Sequence, residues 1–311
     1  MKAVFLGTPH FAVPTLEAMV RAGHDVVCVY TQPDRPKGRG RELALSPVKL
    51  AALRLGIEVR QPERVRRCVD ELAALAADVM VIVGYGQIIP QAIIDLPRHG
   101  IINVHASLLP KYRGAGPIQW SIAQGEQVTG VTTMMINAGL DTGDMLLKAE
   151  TAIGPEETAL ELGPRLAEMG AALLIETLTQ LEAGTLVRIR QDDSQATLAP
   201  ILKREDGLID WSQPAATIHN RARGFLPWPG AWTMFRGQRF NVWRCRIAEV
   251  DQPAVPGKIF SHQKRLYAAC GIGTTLELLE VQTEGRKRVA ADAFLNGQRL
   301  SDSDLLGESP K

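Results

Sequence analysis

The chain has 311 residues, of which 45% are hydrophobic and 22% are charged, and its formal net charge is +1. This composition is typical of a folded globular protein and excludes the disordered and fibrous classes. A net charge so close to zero argues against a uniformly basic surface, so any contact with a nucleic acid must depend on local basic clusters.

The first residues and the cysteines exclude further classes. The apolar run at 3–6 is too short for the core of a signal peptide, and no stretch approaches the length of a membrane span. The four cysteines contain no Cys-x-x-Cys pair, which argues against a zinc site and a disulfide framework. We therefore expect a cytoplasmic protein with free thiols, no metal and no membrane contact.

Short apolar runs alternate with amphipathic segments over the first half of the chain. The apolar runs occupy residues 3–6, 26–30, 79–83 and 101–105, and an amphipathic segment follows the first of them at 13–21. This alternation predicts an α/β fold with a Rossmann-like parallel sheet. Farther along, residues 158–181 have a strong helical period and begin with Thr158 as a cap and Glu161 three residues on. We expect that helix to pack over the sheet.

A basic insertion interrupts this alternation at residues 31–45. It carries Arg35, Lys37, Arg39 and Arg41 among prolines and glycines, which disfavour helix and strand. We expect a mobile loop that becomes ordered by making charge-assisted contacts with phosphate groups. The alternative is an exposed, solvated loop without a ligand.

Polar side chains occur within and after the apolar run at 101–105. Asn103 and His105 lie two residues apart in a strand, so both side chains project from the same face. A carboxamide and a protonated imidazole suit a reaction that builds negative charge on a carbonyl oxygen. Asp141 follows the apolar strand at 130–136 in a glycine-containing loop and is the best candidate for keeping the imidazole charged. Taken singly, each residue also fits a structural role at a strand end or turn.

Residues 107–114, Ser-Leu-Leu-Pro-Lys-Tyr-Arg-Gly, give these three polar residues a specific context. Combined with Asn103, His105 and Asp141, this run resembles the signature of the folate-dependent formyltransferases. The resemblance extends nearly end to end and includes residues 5–9, 84–86, 209–212 and 227–229. Ala106 and Gly116 stand where related sequences commonly carry Gly and Ala, and both are small residues.

The resemblance implies transfer of a formyl group from 10-formyltetrahydrofolate to the α-amine of methionine carried by initiator tRNA. Asn103 and protonated His105 would stabilise the oxyanion, while Asp141 would sustain the imidazolium and help to move the amine's proton. The residue pattern leaves open whether Asp141 acts as a base or only as an electrostatic partner. The basic loop would hold the tRNA. The residues implied to bind tetrahydrofolate are Tyr85, Gly86, Gln87, Ile88, Ser107, Leu108, Leu109, Pro110 and Asp144.

The C-terminal part is predicted to form a separate domain. The polar, aperiodic segment near residue 190 predicts a linker at 189–205 between a catalytic domain at 1–188 and a second domain at 206–311. Short alternating runs there indicate β-structure, and the resemblance implies an OB-like open barrel. The strand at 243–247 would bury Trp243, Cys245 and Ile247 and expose Arg244 and Arg246. With Arg221, Arg223 and residues 286–288, these arginines form either a phosphate-binding surface or ordinary solvated charge.

Several alternatives remain open at this point. No Gly-x-Gly-x-x-Gly fingerprint or P-loop is present, so we expect no NAD. Another formyltransferase, acting on an amino-sugar nucleotide or a purine precursor, would share the three catalytic candidates, as would a formyl-folate hydrolase. The basic loop and basic C-terminal domain favour tRNA, because small acceptors need no long phosphate-binding surface. A non-catalytic RNA-binding protein would bind tRNA without any dependence on folate. We expect a monomer.

Overall fold

The computed structural model describes residues 1–37, 42–250 and 255–307. Its contacts divide the chain into two compact units. The first unit comprises residues 1–117, 128–152 and 163–200, and the second comprises 118–127, 153–162 and 201–311.

Strands and helices alternate through the first part of the chain, and strands dominate the last part. In chain order, the strands are β1 (Lys2–Gly7), β2 (Asp25–Tyr30), β3 (Arg35–Lys37), β4 (Glu42–Ala44), β5 (Val59–Arg60), β6 (Val79–Val83), β7 (Ile101–His105), β8 (Val128–Met135), β9 (Met145–Ala152), β10 (Ala231–Phe235), β11 (Gln238–Ala248), β12 (Ile259–His262), β13 (Arg265–Ala269), β14 (Thr275–Thr283) and β15 (Val289–Ala290). The α-helices are α1 (Val13–Arg21), α2 (Pro47–Arg54), α3 (Val69–Ala74), α4 (Gln91–Ile94), α5 (Pro117–Ala123), α6 (Ala159–Glu182), α7 (Ala215–Gly224) and α8 (Ala291–Gly297).

The first unit contains a seven-stranded sheet in the order β5-β2-β1-β6-β7-β8-β9. The five strands from β5 to β7 are parallel, as the sequence pattern predicts. The last two strands, β8 and β9, run antiparallel to their neighbours. The sheet is therefore mixed, because a hairpin extends the edge beyond β7.

Long helix α6 lies against this hairpin edge of the sheet. The backbone of Thr158 donates a hydrogen bond of 2.9 Å to the Glu161 carboxylate, which confirms the predicted helix start. Gly170 permits close packing, since a Cβ built there would lie 2.7 Å from Val104 of β7. The Thr177 hydroxyl is 2.8 Å from that of Thr133 in β8. These contacts confirm that the helix covers the sheet.

The second unit contains an antiparallel sheet in the order β10-β11-β14-β13-β12, with β15 also paired to β14. Within the residues that the structure describes, no pairing joins β10 to β12 to close a barrel. Its core includes Trp211, Phe235, Phe240, Leu266 and Phe294.

Strand β11 departs from the alternation predicted for it. Its register shifts between Val242 and Cys245, as in a β-bulge, and a bulge transfers the following side chains to the other face. Val242 and Cys245 are both buried, whereas Trp243 is half-buried and Ile247 is 53% exposed. The predicted core positions of Trp243 and Ile247 are therefore wrong, while that of Cys245 is confirmed.

An ion pair between Arg236 and Asp304 leads to a prediction about stability. The guanidinium donates two hydrogen bonds, of 2.8 and 2.7 Å, to the carboxylate and holds the pKa of Asp304 at about 2. We expect Asp304→Asn to lower the free energy of unfolding by about 1–2 kcal/mol at pH 7. Because the pKa is lowered in the folded state, this contribution is present above pH ~4 and is lost as the pH falls towards 2.

Urea unfolding at pH 7 and near pH 3 measures this effect, with exposed Asp302→Asn as the matched control. The difference in free energy of unfolding between Asp304→Asn and the unsubstituted protein should be smaller at the lower pH. Equal stabilities at pH 7 would contradict the prediction.

No helix among residues 1–37, 42–250 and 255–307 has the length and apolar character needed to cross a membrane.

Candidate active site

The last strand of the parallel set, β7, places Asn103 and His105 on one face of the sheet. Their side chains are 8% and 5% exposed, respectively. The carboxamide of Asn103 makes no hydrogen bond to any other residue that the structure describes. Because buried polar groups nearly always have partners, this carboxamide is free to bind a ligand.

Backbone contacts orient the ring of His105. Its Nε2 lies 2.9 Å from the carbonyl oxygen of Tyr112, which can only accept a hydrogen bond. Nε2 therefore carries a proton, and Nδ1 is the nitrogen that faces Asp141, at 3.8 Å from Oδ2. That separation exceeds a direct hydrogen bond, but a proton on Nδ1 would point towards the carboxylate. His105 and Asp141 therefore face each other as predicted, and only the Nδ1 atom of the imidazole can take part in this pairing.

The loop between β8 and β9 reaches His105 by folding back over the sheet. Strand β8 runs antiparallel to β7, with Thr132 opposite His105 and Met135 opposite Ile102. The loop therefore begins beside the start of β7, away from His105. Asp141 has a φ of +50°, in the left-handed region that Asp tolerates better than most residues.

Two main-chain contacts hold Asp141 in this position. Its Oδ2 accepts a hydrogen bond of 2.8 Å from the backbone N–H of Gly114, and its carbonyl oxygen accepts one of 2.8 Å from Gln191 Nε2. Gly114 has a φ of +119°, and a Cβ there would lie 2.6 Å from the carbonyl oxygen of Ala199. Only glycine fits this position without strain.

Arg113 and Gln191 support the site, and sequence reasoning assigned neither of them a role. Arg113 is 7% exposed and donates two hydrogen bonds, of 3.0 and 2.9 Å, to Gln191 Oε1. Gln191 is 6% exposed and comes from the polar segment that the sequence suggested as a linker. Arg113 belongs to the run at 107–114 that resembles the formyltransferase signature, and this membership could have pointed to a role for it. Nothing in the sequence distinguishes Gln191 from its polar neighbours.

The segment after β7 is fixed by an internal hydrogen bond and by contacts with β8 and β9. Ser107 Oγ donates a hydrogen bond of 2.6 Å to the carbonyl oxygen of Lys111, and the Leu109–Pro110 peptide bond is cis. Leu109 is buried against Met134 and Met145. Leu108 and Pro110 are half-buried, and these two side chains are the most accessible of the predicted tetrahydrofolate contacts in this segment.

Residues 84–88 follow β6, which is the parallel neighbour of β7, and therefore share an edge with the end of β7. The Tyr85 side chain is buried in the core, where its hydroxyl has no hydrogen-bond partner among the described residues, and burial raises the pKa of that hydroxyl. Gln87 uses its amide to bind the backbone of Val65 and Pro62. Gly86 has a left-handed φ of +83°, and Ile88 is 93% exposed. Gly86 and Ile88 therefore offer surface to a ligand, whereas Tyr85 and Gln87 shape the loop.

The remaining predicted binding residues are Asp144 and the four basic residues of the insertion at 31–45. Asp144 is half-buried, and its carbonyl oxygen accepts a hydrogen bond of 2.8 Å from the backbone of Met135. Arg35 is exposed at the start of β3. Lys37 ends that strand, and β3 pairs antiparallel with β4, so the expectation that this insertion disfavours strand is wrong at 35–37 and 42–44. Arg39 and Arg41 lie outside the described residues.

Family models match both parts of the chain. The model described as formyl transferase matches residues 1–178, and that described as formyl transferase, C-terminal domain, matches residues 201–299. The chain belongs to the formyl transferase family. The resemblance inferred from residues 103–114 and Asp141 is thereby confirmed.

Relatives of this formyl transferase resemble it along its whole length. It is 66% identical to the methionyl-tRNA formyltransferase of Solibacter usitatus, with 99% of each chain covered. It is 57% identical to the methionyl-tRNA formyltransferase of Koribacter versatilis, again with 99% of each covered. The one from Acidobacterium capsulatum is 55% identical and is covered completely by 99% of this chain.

Solved structures with low identity share the fold of this formyl transferase. An N-formyltransferase from Helicobacter canadensis, in complex with folinic acid and dTDP-3-aminofucose, is 17% identical, with a TM-score of 0.70 over 91% of this chain and 99% of that one. HypX from Aquifex aeolicus, in complex with tetrahydrofolic acid, is 15% identical, with a TM-score of 0.61 over 95% of this chain and 47% of that one.

In the second unit of this formyl transferase, acidic side chains pair with three of the seven residues predicted to form a basic surface, and a fourth, Arg223, is buried. Arg244 pairs with Glu280 at 3.4 Å, Arg246 pairs with Glu277 at 2.7 Å, and Arg288 also pairs with Glu280. These glutamates belong to β14, which lies beside β11. A phosphate group would have to compete with them for the arginines. The phosphate-binding role of this face stays a prediction.

Two other arginines of the second unit lack such neutralisation. Arg204 and Arg239 lie 5.7 and 4.6 Å from the centre of the Trp232 ring. Among the described residues, neither forms an ion pair with a carboxylate. Burial and the charge of Arg204 lower the pKa of Arg239.

Proposed function

We propose that the protein transfers the formyl group of 10-formyltetrahydrofolate to the α-amino group of methionyl initiator tRNA. The observation that carries this proposal is the carboxamide of Asn103, which has no hydrogen-bond partner among the described residues and lies on the same strand face as His105, whose Nδ1 is 3.8 Å from Asp141. Full-length relatives at 55–66% identity are named for the methionyl-tRNA reaction and support this acceptor.

10-Formyltetrahydrofolate supplies the formyl group in this proposal. The methionine amine forms a new bond to the formyl carbon and loses a proton, while the bond from that carbon to the folate nitrogen breaks and that nitrogen gains a proton. Asn103 donates to the formyl oxygen as it gains negative charge, and the imidazole contributes positive charge beside it. Asp141 stabilises that positive charge. Its carboxylate can also accept the amine's proton, because a gap of 3.8 Å separates Oδ2 from His105 Nδ1.

The chain offers a suitable edge for the folate. The exposed Ile88, the left-handed Gly86 and the backbone around Ser107 lie after the neighbouring strands β6 and β7. An exposed apolar side chain beside the exposed main chain of Gly86 suits a flat, polar heterocycle. We propose that the pterin binds there, with Leu108, Pro110 and Asp144 around it. Tyr85, Gln87 and Leu109 keep the loops in place.

A radiolabel transfer assay tests this function. Purified protein is mixed with labelled 10-formyltetrahydrofolate and methionyl initiator tRNA, and acid-stable label on methionine is measured. We expect label on methionyl-tRNA and none on the same tRNA without its amino acid. Transfer only to amino-sugar nucleotides or to water would contradict the tRNA assignment, and tRNA binding without transfer would indicate a binding protein.

The basic loop leads to a prediction about tRNA affinity. We propose that Arg35, Lys37, Arg39 and Arg41 contact tRNA phosphates. We expect Arg39→Ala to raise the half-saturating tRNA concentration, since one phosphate contact is lost. For the same reason, the slope of log K for tRNA binding against log salt concentration should become less steep by about one.

Filter binding at several salt concentrations measures both quantities for Arg39→Ala. Folate binding should stay unchanged. Arg21→Ala, which removes an exposed arginine at the end of α1, is the matched control and should leave tRNA affinity as it is. Unchanged tRNA affinity in Arg39→Ala would remove this residue from the interface.

The remaining sequence predictions complete the proposal. We propose that residues 1–188 form the catalytic domain, that 189–205 connect it to 206–311, and that the antiparallel sheet of the latter is an OB-like open barrel that contacts tRNA. We also propose that the protein is a monomer and that it is cytoplasmic. The proposed acceptor, methionyl initiator tRNA, serves translation initiation in the cytoplasm.

A further inference from the structure

Hydrogen bonds link the loop that carries Asp141 to two buried polar residues. The Nε2 of Gln191 donates to the carbonyl oxygen of Asp141 at 2.8 Å and to that of Gly143 at 2.7 Å. The Oε1 of Gln191 accepts from the Nε and Nη2 atoms of Arg113 at 3.0 and 2.9 Å. All the hydrogen-bonding capacity of this side chain is thereby used.

These contacts form a closed ring with the carboxylate. Arg113 holds Gln191, Gln191 holds the main chain of Asp141, and the N–H of Gly114, the residue after Arg113, donates to Asp141 Oδ2 at 2.8 Å. The carboxylate and the main chain of Asp141 are thus fixed by two adjacent residues of one segment. A side chain tied at both ends has little freedom to turn away from His105.

The ring also explains how an unfavourable backbone conformation persists. Asp141 has a φ of +50°, which non-glycine residues rarely adopt and which costs of the order of 1 kcal/mol. The two carbonyl oxygens on either side of Thr142 converge on one amide group, so Gln191 defines the curvature of this turn. Arg113 in turn is fixed by Asp193, whose carboxylate accepts from it at 2.7 Å.

We propose that Gln191, held by Arg113, is a positioning residue that keeps Asp141 at its working distance from His105. This inference rests on the proposed function of Asp141, because Gln191 acts only through that carboxylate. It assigns a catalytic purpose to a segment whose sequence suggests a linker.

The variant Gln191→Glu separates positioning from folding. Glutamate has the same shape and still accepts from Arg113, but it cannot donate to the two carbonyl oxygens. We expect kcat to fall by about 10²-fold with little change in KM, the scale for a misplacement of about 1 Å in an active site. The melting temperature should fall by no more than about 5 °C, since Arg113 keeps its partners. Gln195→Glu makes the same change at an exposed neighbour and should leave kcat unaltered.

A double-mutant cycle with Asp141→Asn distinguishes positioning from a general structural effect. If Gln191 acts through the carboxylate, Gln191→Glu should lower kcat by less than about threefold once that carboxylate is absent. An equal loss in both backgrounds, or wild-type kcat in Gln191→Glu, would overturn the inference. Arg113→Lys provides a second test if Gln191→Glu does not fold, because a lysine ammonium cannot reproduce the Nε and Nη2 donors that converge on Gln191 Oε1. The loss of kcat in Arg113→Lys should likewise disappear in the Asp141→Asn background.

A crystal structure of Gln191→Glu provides a measurement that does not depend on activity. The distance from His105 Nδ1 to Asp141 Oδ2 should increase from 3.8 Å. An unchanged distance in Gln191→Glu would contradict the inference whatever the reaction. Absence of formyl transfer by the unsubstituted protein would contradict the proposed function instead.

Discussion

Asn103→Ala is expected to lower kcat by about 10²–10³, the usual cost of losing one hydrogen-bond donor to a developing oxyanion. The carboxamide is 8% exposed, and no described residue satisfies it, so its proposed partner is the formyl oxygen. Steady-state kinetics with both substrates saturating measures the change. KM should change little, because the interaction strengthens only as negative charge develops.

Stability measurements distinguish this role from a structural one. Because the Asn103 carboxamide makes no hydrogen bond to any residue that the structure describes, Asn103→Leu, which keeps most of the side-chain volume, should fold with nearly unchanged stability and show the same kinetic defect. Asn296→Ala removes an exposed carboxamide from α8 and serves as the matched control. Near-normal turnover in Asn103→Leu would remove this residue from the mechanism.

Asp141→Asn should lower kcat by about 10²–10⁴, the range that general acid–base groups contribute. Asparagine keeps an oxygen that can accept from the N–H of Gly114 and tolerates the positive φ of this position. The substitution therefore removes the negative charge facing His105 Nδ1 and leaves the loop in place. Turnover as a function of pH, together with thermal unfolding, measures the consequence.

The matched control for Asp141→Asn is Asp95→Asn, an exposed carboxylate that accepts a hydrogen bond from Gln91. It should have wild-type kinetics. If Asp141→Asn kept wild-type turnover at every pH, the negative charge would have no part in the reaction, and Asn103 with a neutral imidazole would have to suffice.

Sequence periodicity predicted the elements whose residues interact locally. The parallel strands follow from runs such as Val79–Val83, and the start of α6 follows from Thr158 and Glu161. Alternation also placed Asn103 and His105 on one face of β7, since strand geometry requires it. Alternation failed in β11, because the bulge near Trp243 depends on pairing with β14.

Long-range contacts also determine which surface charges are neutralised by ion pairs. The sequence placed Arg244 and Arg246 on one face, but their partners Glu280 and Glu277 are more than thirty positions away along the chain. Strand pairing brings these charges together, and charge patterning within one strand cannot reveal it.

By itself, the sequence determined the family, the α/β order of the first unit and the identity of Asn103, His105 and Asp141 as candidates. Only the tertiary structure decided which imidazole nitrogen faces Asp141, at 3.8 Å, and that Gln191 holds the aspartate loop. The physical reason is that a side chain's chemistry is local, whereas its orientation depends on hydrogen bonds to backbone groups that folding brings together. Gln191 and Asp141 are fifty residues apart, and their contact forms only when the loop after β8 folds back over the sheet.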